Sequence, residues 1–315
     1  MGLLARLLSE DTAKSVVAVA CESLNELVQD VGPAALLPRL KQIVEATVAL
    51  ASNQAPCQTL LGADEEDGDE DGDHDNVLMD NVADLCGGLC KVAGGSIGAD
   101  AADALFRAFS RFAQPGRPAS DRAMALGCFA ELCVELPPPL AAERHFATLQ
   151  PLFSAACRDP SPAVTRNAAF GLGALCKAAP VPARAVVAEA LQALYPLVAK
   201  ADAAPEERRS ADRAAADNAL AAMCRICVGD PASAPVDQVL GLVLPQLPLC
   251  EDAGENATVV EFLVVLAATG HAALATHADA VRRALAQCLQ QEKIDEKPAC
   301  DQAAALLQQL GGAPA

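Results

Sequence analysis

The chain has no tryptophan, one tyrosine and eight phenylalanines, so aromatic residues make up only 3% of its 315 positions. A core built around large rings is therefore excluded. Hydrophobic residues nevertheless reach 52%, carried by Ala, Leu and Val. Ala and Leu are strong helix formers, and β-branched residues rarely alternate in the strand pattern, so strands are not expected. No run of eighteen uninterrupted apolar residues exists, which leaves no candidate membrane helix. The start, MGLLARLLSE, lacks the length and the small-residue cleavage site of a signal peptide. Arg6 also stands where a myristoylation signal needs Ser or Thr. The chain reads as soluble and intracellular, with no membrane partner.

Catalytic signatures are equally scarce. The four histidines are His74, His145, His271 and His277, and none is followed by Glu, so repeated His-Glu metal ligands are missing. There is no GxxxxGK[ST] and no GxSxG. Thirteen cysteines are present, and most fall inside apolar helical patterns, where a thiol behaves as a small hydrophobe. Cys224 and Cys227 form a CxxC and Cys86 and Cys90 a CxxxC, but neither has the second pair that a zinc site requires. They read as buried, reduced thiols. No enzyme, no cofactor and no metal is expected.

What the chain does contain is a repeat. From Asn167, steps of five, eight and nine residues reach Leu172, Leu175 and Cys176. The same steps from Asn218 reach Met223, Ile226 and Cys227, and from Asn81 they reach Cys86, Leu89 and Cys90. Met124, Val19 and Thr258 repeat the pattern, and Asp301 repeats it most weakly. The markers at 19, 81, 124, 167, 218, 258 and 301 are spaced by 62, 43, 43, 51, 40 and 43 residues. A period near 43 fits two-helix HEAT-type units of ~40–47 residues. A second set of helices is expected at 33–52, 102–112, 143–157, 183–200, 236–247 and 277–289. Pro38, Pro151, Pro196 and Pro245 fall inside or late in four of them, where proline kinks or ends a helix. Asp159-Pro160, Asp230-Pro231 and Ser120-Asp121 read as turn or N-cap chemistry.

The expected fold is all-α: a single α-solenoid of about six to seven HEAT repeats over residues 1–315. Each pair needs its neighbours to bury its apolar face. Six pairs are expected to be complete, preceded by a helix near 11–29 that is unpaired or partly paired. Because MGLLARLLSE makes a poor polar cap, the chain reads as a C-terminal piece of a longer solenoid or an incomplete gene model.

Residues 62–75, GADEEDGDEDGDHD, explain the longest gap. They hold nine acids: Asp64, Glu65, Glu66, Asp67, Asp69, Glu70, Asp71, Asp73 and Asp75. Without them 32 acids would face 23 bases, so half of the formal charge of −18 sits in this segment. Such a run cannot bury itself and is expected to be a disordered loop. It is either a solvated linker or an electrostatic lure for a basic partner, and its density of negative charge opposes direct nucleic-acid binding. A calcium loop is a third reading, but the Gly-and-Glu register of an EF-hand is missing. Asn81, Asn167 and Asn218 share one column. They either form a ladder that hydrogen-bonds an extended cargo peptide or satisfy loop carbonyls of the next repeat. Arg166 is expected to pair with Asp159 or with an acid of a neighbouring repeat.

Five segments carry a family likeness: APCQ (55–58) leading into the acidic run, SDRAMALGCFAEL (120–132), DPSPAVTRNAAFGLGALCKAAP (159–180), ADNALAAMCRI (216–226) and VLPQLPLCEDAGENATV (243–259). Together they resemble the C-terminal region of the karyopherin-β nuclear import receptors, and the likeness covers nearly the whole chain. It implies a Ran-regulated receptor moving between cytoplasm and nucleus. Its expected partners are basic cargo such as histones or ribosomal proteins, with nucleoporins and Ran engaged through the full-length receptor. The armadillo mode of importin α, which uses Trp–Asn pairs, is excluded by the missing tryptophan. A HEAT scaffold outside transport shares the same fold and remains the alternative.

Overall fold

The computed structural model describes residues 1–59, 70–202 and 205–311. Among these residues there is no strand, and fourteen helices have eight residues or more. They are α1 (Gly2–Glu10), α2 (Lys14–Val31), α3 (Leu40–Ala51), α4 (Glu70–Ala93) and α5 (Ala99–Ser110). Next come α6 (Ala119–Glu135), α7 (Ala142–Ala156), α8 (Pro162–Ala178), α9 (Val187–Asp202) and α10 (Arg209–Gly229). The last four are α11 (Val236–Val243), α12 (Glu255–Ala268), α13 (Ala278–Gln290) and α14 (Lys297–Gln309).

Two compact units result, Met1–Arg144 and His145–Ala315. In the first, α2 packs on α4 and α4 on α6, while α3 lies on α4 and α5. In the second, α8 packs on α10, α10 on α12 and α12 on α14, with α9 against α10 and α13 against α14. In each unit the even-numbered helices form an inner row, and odd-numbered helices ride outside it. The repeated apolar steps point into this row: Leu172, Leu175, Met223, Leu24, Leu263 and Leu266 have no exposed surface. Completely burying one such side chain stabilises the fold by about 1.5–3 kcal/mol. The weakest repeat departs as its sequence implies, because Gln309 is exposed.

Proline and aspartate act where expected, with one exception. Pro38 and Pro245 lie in 3-10 turns, Leu37–Arg39 and Leu244–Gln246, while Pro151 and Pro196 stay inside α7 and α9. Asp159 Oδ1 accepts the Ser161 N–H at 2.9 Å, closing the turn into α8. Ser120 and Asp121 instead fall within the first turn of α6, which Pro118 precedes.

Of the two states expected for the leading helix, α2, the partly paired one is found: the shorter α1 packs on it, with Ala5 and Leu8 fully buried. One further expectation needs correction: the whole acidic segment is not a loop, because α4 begins at Glu70 and takes in Asp71, Asp73 and Asp75. Acidic residues in a first turn favour a helix, since they face the partial positive charge of its N-terminus. Residues 62–69 of the segment lie outside the described residues.

Eleven of the thirteen cysteines are buried, Cys300 is half-buried and Cys250 is exposed. Burial pushes Cys133, Cys157 and Cys176 up to about 12, which makes them packing groups and not nucleophiles.

Small residues set the spacing of the inner row. A Cβ placed on Gly173 of α8 would lie 2.6 Å from the Cα of Ala222 on α10 and 2.8 Å from its Cβ. The obstacle is backbone, so no rotamer change relieves it. Gly173→Val should therefore destabilise the protein by about 1–3 kcal/mol in urea denaturation. Gly95→Ala, which meets nothing within 4 Å, should shift the midpoint far less.

Candidate functional site

Helices α4 and α6 of the first unit place four acids close together. Asp80 and Asp84 are one turn apart on α4, and Glu131 and Glu135 are one turn apart on α6. Asp80, Asp84 and Glu131 are exposed and Glu135 is half-buried. Partial burial raises Asp80 and Asp84 above the usual carboxylate range, and at Asp80 the charges of Asp84 and Asp121 add to it. Glu131 is pushed up to about 7 by burial, then by Asp84 and Glu135, with Lys91 opposing. Its side chain still meets solvent, so desolvation is partial and the two neighbouring acids secure the direction of the shift. Among the described residues no Lys or Arg is in salt-bridge contact with these four acids.

The backbone beneath them is bare. A Cβ on Gly87 would collide with the Glu131 carboxylate, and one on Gly88 with the Asn25 side chain of α2. Side chains from both flanking inner helices therefore lean over the glycine pair of α4. Glu22 and Glu26 of α2 are exposed as well. The result is a band of negative charge across three adjacent helices.

The second unit satisfies its inner charges internally. Arg166 Nε and Nη2 donate to Asp252 Oδ2 at 2.9 and 2.5 Å, and Asn218 Nδ2 donates to the same oxygen at 2.6 Å. Asp217 Oδ2 accepts the backbone N–H groups of Glu251 and Asp252, both at 3.0 Å. Arg225 lies 4.4 Å over the Phe170 ring and donates to Glu255 at 2.8 Å. The acid that Arg166 meets is not one in the adjacent repeat, as expected, but Asp252, which stands just before α12, two inner helices from α8.

The sequence-derived candidates separate accordingly. Asp64, Glu65, Glu66, Asp67 and Asp69 lie outside the described residues. Glu70, Asp71 and Asp73 belong to the first turn of α4. Asp75 is exposed and pairs with Lys14 at 2.9 Å. Asn81 Nδ2 donates to the Ala18 carbonyl of α2 at 3.1 Å, which ties one inner helix to the next. Asn167 is half-buried, and Asn218 is buried in the Asp252 cluster. Asp84, Glu131 and the α2 glutamates were not singled out from the sequence, although a signal was there. They stand three or seven residues beyond the repeat markers at 19, 81 and 124, on the face left open by the apolar steps.

A second feature of the first unit is apolar. Leu40, Val44 and Val48 of α3 face Ile97, Ala101 and Ala104 across a groove of about 730 Å³, with Lys41, Glu45 and Asp100 also lining it.

No family model matches the sequence. The chain is 26% identical over 257 residues to human importin-4, covering 80% of this chain and 22% of that protein. It is 28% identical over 197 residues to a probable importin subunit beta-4 of Schizosaccharomyces pombe, covering 62% of this chain and 17% of the relative. It thus spans about a fifth of the length of these relatives. Among solved structures, the karyopherin Kap121p bound to the SUMO protease Ulp1p matches 98% of the chain with a TM-score of 0.73 at 17% identity, over 27% of its own length. Kap121p bound to RanGTP and Kap121p bound to Nup53p match with TM-scores of 0.70 and 0.72, each at 18% identity, over 97% and 99% of this chain and 27% of their own. The chain is homologous to the importin-4 type of karyopherin-β, and its fold is the all-α karyopherin solenoid.

The raised Glu131 makes stability depend on pH. Its value in the folded protein lies above the free-carboxyl value of about 4.3, so the folded state holds the proton more tightly. Stability should therefore fall as pH rises from about 4.3 to about 7. Glu131→Gln should melt with the wild type at pH 4 and above it at pH 7.5, as read by thermal denaturation at both values.

Proposed function

We propose that this chain is the cargo-gripping part of a nuclear import receptor, and that it grips a Lys/Arg-rich segment. The observation that carries this reading is the charge contrast between the units. The first leaves Asp80, Asp84, Glu131 and Glu135 without a salt-bridge partner, whereas Asp252, Glu255 and Glu261 of the second each meet an Arg or Lys. Neighbouring acids help to raise Asp80 and Glu131, and an incoming cation relieves that repulsion. The acidic run at 62–75 enters the same unit and adds a long-range field that speeds encounter with a basic chain. The relatives' names support the transport role: importin-4 for the sequence, and Kap121p bound to RanGTP and to Nup53p for the fold.

In this reading the chain works by adhesion and not by catalysis, and moves with the receptor between cytoplasm and nucleus. Ran and nucleoporins are engaged by the whole receptor, and the groove between α3 and α5 is the apolar surface offered to a nucleoporin. Asn81 and Asn218 serve the fold, and the peptide is held by charge.

A fluorescence titration with a histone-tail peptide tests the cargo site. The triple variant Asp80→Asn, Asp84→Asn, Glu131→Gln should bind at least about tenfold more weakly, a loss of ~1.4 kcal/mol. Its affinity should also depend less steeply on salt, because fewer charges remain to be screened. Neutralising Asp64, Glu65, Glu66, Asp67 and Asp69 should slow association more than it speeds dissociation. Unchanged affinity and salt slope in the triple variant would remove the inner acids from the cargo site.

A further inference from the structure

Two ion pairs of the second unit join α8 to a layer that is not its immediate neighbour. Lys177 Nζ donates to both carboxylate oxygens of Glu261 on α12, at 2.6 and 2.7 Å. Arg166 reaches Asp252, just before α12, as described above. Helix α10 lies between, packed on α8 to one side and on α12 to the other.

The reach is informative. Built from bonds of ~1.5 Å, an extended Lys, an extended Glu and their contact span roughly 14 Å between Cα atoms. Two ordinary helix-to-helix steps of ~8–10 Å would set the axes of α8 and α12 roughly 16–20 Å apart. Because Cα atoms stand ~2.3 Å from a helix axis, that reach suffices only where the side chains of α8 and α12 lean toward one another over α10. On α10 itself, Arg225 lies 4.4 Å over the Phe170 ring with its guanidinium on Glu255 and Thr258.

We propose that Lys177–Glu261 and Arg166–Asp252 form a strap over α10 that fixes the spacing of α8 and α12 and is released by ionic strength. Released, the unit opens by parting α8 from α12, with α10 as the hinge. The bonds that α10 itself makes, Asn218 to Asp252 and Arg225 to Glu255, keep the hinge attached. Solvent reaches the strap, since the Lys177 and Glu261 side chains are 37% and 43% exposed. Exposed ion pairs contribute little to global stability, so the strap opens without unfolding the core. Added salt shortens the screening length from ~8 Å at 0.15 M to ~3 Å at 1 M.

Hydrogen exchange followed by mass spectrometry on the full chain tests this. Moving from 0.05 to ~1 M salt should accelerate exchange several-fold in peptides covering 166–177 and 250–261, leaving those of α13 and α14 unchanged. Lys177→Glu and Glu261→Lys should each reproduce the acceleration at low salt. The double reversal, which rebuilds the pair with its signs exchanged, should restore slow exchange. Exchange insensitive to salt, or a double reversal as fast as the singles, would overturn the strap. Should a single reversal fail to fold, the wild-type salt series and the double variant decide the matter without it.

Discussion

Helix α8 comes so close to α10 that the Cβ missing from Gly173 would press on the Ala222 backbone. That approach is the constraint on which the second unit depends. A chain with no tryptophan cannot fill wide gaps between helices, so it closes them with Ala and Gly until the backbones nearly meet. Thin layers then follow, and with thin layers long side chains can cross from one helix to the next but one. The same economy operates in the first unit, where the Gly87–Gly88 pair lets Asn25 and Glu131 lean over α4.

Electrostatics divides what packing makes alike. Both units present a row of inner helices, and in both the exposed column is charged. In the second unit Asp252 is met by Arg166 and Asn218, and Glu255 by Arg225. In the first the column is acidic on three successive helices, and burial, with repulsion added at Asp80 and Glu131, raises the affinity for protons at Asp80, Asp84 and Glu131. A surface that holds protons too tightly is one that a lysine or arginine side chain would relieve.

The fold was legible because it rests on a pattern one helix long. The apolar steps from each marker located every inner helix, and proline and aspartate marked most of the turns. What the sequence concealed has two causes. The pairing of α1 with α2 was left undecided by a start that reads as a poor cap, although Leu8 is as buried as any core residue. The cross-layer pairs were hidden by distance, since Arg166 and Asp252 stand 86 positions apart and only the layer spacing brings them together. The asparagine column was visible as a column, but its use was not: Asn81 ties helix to helix and Asn218 joins a charge cluster. The acids of the first unit were within reach of the same register, had it been read for the open face as well as the closed one.

The placement of the thiols has a practical corollary. Eleven are sealed in the packing, while Cys250 stands in the open, two residues before the carboxylate that gathers Arg166 and Asn218. The unmodified chain thus brings its own attachment point for a maleimide dye, and it lies beside the junction whose movement an observer would most want to watch.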